Sequence, residues 1–84
     1  MKSCQAKNVT ETATVNARPC NLIGFYVNST SSGTIVIHDS ASTATNAVSG
    51  TITPAVGWHF FPAQLGTGLR VVIANTLNVT LFYE

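Results

Sequence analysis

Charge is what this sequence has least of. Lys2, Lys7, Arg18, Arg70, Glu11, Asp39 and Glu84 are its only formally charged side chains, 8% of 84 residues. A soluble domain commonly carries roughly 25%. With 45% hydrophobic residues beside so few charges, the surface is poorly protected against association. The net charge of +1 offers no long-range attraction to nucleic acid or to an anionic membrane. There is no basic cluster interleaved with aromatics, so neither partner is expected. Three carboxylates in the whole chain leave little material for paired acid–base chemistry.

Other absences narrow the class further. The longest apolar runs are four or five residues, far below the roughly 20 that span a bilayer as a helix. The first ten residues, MKSCQAKNVT, lack an apolar core, so no secretory leader is expected, and the chain first meets a reducing cytosol where disulfides are rare. No P-loop or GxGxxG occurs; Gly66-Thr67-Gly68 reads as a turn before a strand. No stretch repeats apolar residues at i, i+3, i+4 and i+7 with helix-forming partners. One domain of this length buries roughly 60–65% of its unfolded surface. Its own core is therefore marginal, and oligomerisation is the expected supplement.

What the sequence does have is strand material: β-branched runs punctuated by Ser, Thr, Asn and Gly. Residues 6–15 alternate and are polar, as an edge strand or arm. Residues 20–28 (CNLIGFYVN) read as a strand with Gly24 as a bulge or close-approach point. The run 28–33 (NSTSSG) reads as a turn, and 34–39 (TIVIHD) as the returning strand of a hairpin. Shorter strands follow at 47–53 (AVSGTIT), at 57–61 (GWHFF, stopped by Pro62), at 69–74 (LRVVIA) and at 77–83 (LNVTLFY), with Asn75-Thr76 as a turn. The pattern predicts an all-β fold, a small antiparallel sandwich or barrel of about seven short strands. Residues 1–17 stand apart as a polar N-terminal arm or edge strand; residues 18–84 form the domain.

Residues that suggest chemistry have structural readings beside them. Cys4 and Cys20 are symmetric about Thr12, so a hairpin there would set them opposite and allow a disulfide across a loop of about 15 residues, worth roughly 3 kcal/mol. A strand running on to Val15 would instead separate the thiols and leave Cys20 a small core residue. Without a CxxC spacing they are a poor zinc signal. His38-Asp39-Ser40 holds triad residue types, but neighbours on a strand point to opposite faces. The sequence fits a strand end whose Asp and Ser shape the following turn. His59 could join His38 and Asp39 at a metal, yet its neighbours in GWHFFP favour packing against aromatics. No metal, cofactor or catalytic site is expected. Three Asn-x-Ser/Thr sequons, at Asn8, Asn28 and Asn78, matter for glycosylation only in a eukaryotic secretory path.

The aromatics carry the strongest residue-level expectation. Alternation puts Trp58 and Phe60 on one face of their strand and His59 and Phe61 on the other. One set fills the core and the other is left for a neighbour. Trp58, Phe60, Phe61, Tyr26 and Phe82 are therefore the interface candidates, since aromatics are enriched where proteins meet. An exposed Trp58 or Tyr26 would equally suit stacking on a sugar ring.

Read in order from Leu22, the chain runs through a Gly-Phe-Tyr strand, an S-S-G turn, TIVIHDS, S-G-T-I-T-P, G-W-H-F-F-P, T-G-L-R-V-V and a terminal N-V-T-L-F-Y. This order resembles small all-β virion proteins of tailed bacteriophages, including head decoration (cement) proteins and β-domains of neck, tail and fibre components. The resemblance spans residues 21–84 and consists of strands and turns. It implies a non-enzymatic structural protein of the virion, assembled in the host cytoplasm, commonly a homotrimer. Its implied partners are its own copies and a major capsid or other virion protein, with no cofactor. The N-terminal segment would add a strand to a neighbouring sheet edge.

Overall fold

The computed structural model describes residues 4–84 and is all-β, with no helix among the described residues. Five strands, β1 (Gln5–Val9), β2 (Ala13–Asn16), β3 (Cys20–Asp39), β4 (Gly57–Leu65) and β5 (Leu69–Tyr83), form one antiparallel open sheet. The order is β1-β5-β3-β4, with β2 also on β5. Residues 1–3 of the expected N-terminal arm lie outside the described residues. From Gln5 to Asn16 the segment forms edge strands on β5, and Val9 and Val15 enter the core.

Two long strands replace four expected short ones. Residues 20–28 and 34–39 do not pair as a hairpin; they are the two ends of β3. Likewise β5 runs through Asn75-Thr76 without turning back. The two strands pair from Leu22 opposite Tyr83 to Asp39 opposite Leu69. A straight strand of 20 residues would reach about 65 Å, yet the molecule measures 31 Å at its longest. The ribbon must therefore fold over. It does so where the register shifts, between Val27 and Ser29 and between Ser31 and Ser32. At that corner Ser32 and Asn75 take left-handed φ values of 55° and 61°. The Asn75 side chain donates to the Ser32 carbonyl at 2.8 Å. Gly33 is required there, because a Cβ would collide with the Thr76 carbonyl and stand 2.7 Å from Leu77 Cβ.

Folding the ribbon gathers one core from both halves: Leu22, Phe25 and Val27 with Leu77, Val79 and Leu81 from one, and Ile35 and Ile37 with Leu69 and Val71 from the other. The register shift between Leu22 and Gly24 inserts Ile23 as a bulge. It switches the inward positions of β3 from Cys20 and Leu22 to Phe25 and Val27. Asp39 then ties the far end of β3 to the turn between β4 and β5. Its carboxylate accepts the N–H groups of Gly66 (3.0 Å), Thr67 (2.8 Å) and Gly68 (3.2 Å).

The expected strand at 47–53 reduces to two isolated bridges, Ile52 opposite Ile35 and Ala47 opposite His38. Pro62 does not stop β4, which continues to Leu65. β4 is an edge strand, where a missing N–H is tolerated.

Candidate contact face

The outward side of the β4-β3-β5-β1 half is built from two cross-strand rows. Register sets Phe60, Gly24, Phe82 and Ala6 in one, and Trp58, Tyr26, Thr80 and Asn8 in the next. Neither row contains a charged residue. Three of these aromatics are well exposed: Phe60 at 70%, Trp58 at 47% and Tyr26 at 43%.

Gly24 allows the rows to close. A Cβ at that position would lie 3.0 Å from two ring carbons of Trp58 and collide with the His59 carbonyl. The indole thus occupies the space above the Gly24 backbone. It also meets Phe82 edge-on, with centroids 5.5 Å apart and planes at 70°. Such pairs add about 0.5–1.5 kcal/mol beyond area burial, so Trp58 is held in place although half its surface meets solvent.

Phe61 is placed apart from the other four interface candidates. It is half-buried and packs against the core. His59 shares its side of β4, stacked on Phe25 at 5.1 Å, with Nε2 2.7 Å from the Ala55 carbonyl. His38 is buried in the other half and its Nδ1 lies 3.2 Å from the Thr45 carbonyl. The two imidazoles are engaged by different loops, and no group of three or more His, Cys, Asp or Glu residues is positioned to hold a metal among the described residues. Ser40 shapes its own turn, accepting from the N–H groups of Ser42 and Thr43. Asp39 instead reaches the distant 66–68 turn. Cys4 is exposed, Cys20 is buried, and both are free thiols. β1 and β2 both pair with β5 and not with each other, so the hairpin that would set the thiols opposite does not form.

An amide cluster borders the aromatics. Asn8 Nδ2 donates to Asn78 Oδ1 (2.7 Å) and Thr80 Oγ1 (3.1 Å). Asn28 Nδ2 donates to the same two atoms at 3.3 and 3.2 Å. These are the asparagines of the three sequons, brought together from β1, β3 and β5. The signal was in the sequence as a repeated Asn-Val-Thr, which pairs with its own copy: Asn8 opposite Thr80 and Val9 opposite Val79.

At the Ile23 bulge the face opens into a groove of about 310 Å³, lined by Asn21, Leu22, Ile23, Phe60, Pro62, Ala63 and Glu84. Two of its lining residues, Asn21 and Glu84, are joined by a pair of backbone hydrogen bonds, both 2.8 Å.

Compared with known proteins, the chain matches no family model, no curated protein and no solved structure.

Proposed function

We propose that the protein is a non-enzymatic structural component of a bacteriophage virion, a capsid decoration protein that binds and stabilises the head lattice as a homotrimer. The supporting observation is an almost uncharged open sheet whose edge strand β1 is exposed over Gln5, Ala6, Lys7 and Asn8. The outer main chain of such an edge can pair with a strand of a neighbouring subunit. Main-chain hydrogen bonds then supply affinity where side-chain charge cannot. Many identical weak contacts sum over a repeating shell. In this reading the bent sheet acts as a small sandwich. Its edge holds the particle, and its aromatic rows stand free as a second contact face.

The test is to add purified protein to expanded heads lacking decoration and to sediment them. Co-sedimentation with a raised head melting temperature supports the proposal. Absence of binding at every salt concentration rejects it. A tail, neck or fibre adaptor is the second reading. It draws on the exposed Trp58 and Phe60 of the aromatic rows, and predicts binding to tail structures instead of heads.

A further inference from the structure

We infer that the aromatic rows and the Ile23 groove together form a binding site for a neutral oligosaccharide, with one ring in the groove against Phe60 and the next on Trp58. This goes beyond the lattice reading: it uses side chains of the outward face, Asn8 of β1 among them, whereas the lattice reading uses the outer main chain of β1.

The first support is the mixture of chemistries. A sugar ring presents an apolar C–H face and a rim of hydroxyls. The face here sets aromatic rings directly beside amides: Trp58, Tyr26, Thr80 and Asn8 are neighbours in one row. In the amide cluster Asn78 Oδ1 and Thr80 Oγ1 are acceptors for both Asn8 and Asn28. Asn8 Oδ1, Asn28 Oδ1 and Asn78 Nδ2 have no partner among the described residues. A dry apolar partner would bury these groups unsatisfied, at about 1–3 kcal/mol each. A ligand carrying hydroxyls satisfies them, since hydroxyls both donate and accept.

The second support is preorganisation. Trp58 is seated over Gly24 and braced by Phe82, so little rotamer freedom remains to be lost on binding. Phe60 stands two residues further along the same face of β4, about 7 Å away along the strand. Because the indole leans over Gly24, the residue opposite Phe60, the two aromatic side chains stand side by side across the β4–β3 pair. The groove of about 310 Å³ falls at the small end of ligand pockets, which run from about 300 to 1,000 Å³. It suits one ring.

Charge selects the class of sugar. Glu84 is the one charged residue lining the groove, and it is acidic. A carboxylate accepts hydrogen bonds from hydroxyls and repels phosphate, sulfate and carboxylate groups. Nucleic acid and acidic glycans are thereby disfavoured.

Trp58 is the only tryptophan, so its fluorescence reports the site in the intact protein. It is titrated with malto-, cello-, xylo-, manno- and chito-oligosaccharides, and with heparin fragments as an anionic control. Saturable change with at least one neutral series and none with heparin is expected. Phe60→Ala should weaken that binding at least tenfold, and Asn28→Ala by several-fold. Both side chains are exposed, and an unchanged far-UV spectrum checks that each variant folds. A silent neutral panel would overturn the inference. So would equal binding by Phe60→Ala, a preference for heparin, or a Trp58 that acrylamide cannot quench because another copy covers it.

Discussion

Trp58 fills the space that a side chain on Gly24 would need. Strand β3 accepts a glycine in mid-sheet, where one ordinarily costs stability, because the indole of the neighbouring strand lies over it. Gly24→Ala should therefore destabilise the fold by about 1–3 kcal/mol, as overpacking does. It should also weaken the near-ultraviolet circular dichroism of Trp58 as the contact with Phe82 is displaced. Urea denaturation and the near-ultraviolet spectrum together check this. An unchanged midpoint with an unchanged Trp58 signal would show that the indole is not seated on Gly24.

Asp39 predicts acid sensitivity. The N–H of Thr67, then that of Gly66, with a smaller part from Gly68, hold its carboxyl below the usual carboxylate range, against a weaker opposing effect of desolvation. A carboxyl depressed in the folded state stabilises the fold above its unfolded value, about 3.9. That contribution is lost as pH falls through the lowered folded value. The melting temperature should drop on acidification below about pH 4. Asp39→Asn should melt lower at neutral pH and show less of this acid-dependent drop. Identical pH profiles for the two proteins would remove Asp39 as the latch.

The thiols should differ in reactivity. Cys4 is exposed and Cys20 buried, so a thiol reagent should label one site per chain in the native protein and two after denaturation. Mass spectrometry of the labelled peptides identifies which. Protein that takes up no label even after denaturation without reductant would mean that the two sulfurs are bonded.

Self-association is read from the mass in solution. One chain is 8.8 kDa; a homotrimer elutes from a sizing column with a light-scattering mass of about 26 kDa, three-fold symmetry being among the common closed arrangements. A mass of one chain at every concentration would remove the trimer from the proposal.

The all-β class was legible because β-branched residues and short alternating runs dominate the chain. The strand count was not. Ser32 and Asn75 take left-handed φ at a corner of a continuous ribbon, and a corner draws on the same residue types as a hairpin turn. Only pairing distinguishes them, and pairing partners lie far apart in sequence, as Ile35 does from Ile73. The irregularity in residues 20–28 was legible from Gly24: the bulge falls one residue earlier, at Ile23, and Gly24 is the close-approach point. Period two on β4 separated Trp58 and Phe60 from Phe61, but which pair faces outward emerges only from the pairing of β4 with β3. The ligand of Asp39 could not be foreseen, because its three N–H donors lie 27–29 positions along the chain. The convergence of Asn8, Asn28 and Asn78 needed the β1-β5-β3 order, although the repeated Asn-Val-Thr hinted at self-complementary pairing.

The most direct measurement is an electron cryomicroscopy map of bare expanded heads incubated with the purified protein. Binding as a trimeric cement predicts discrete density at every equivalent three-fold position of the lattice, with strand β1 set against a capsid-protein strand. Heads that remain bare under saturating protein, or that carry density with no relation to the lattice symmetry, would contradict it.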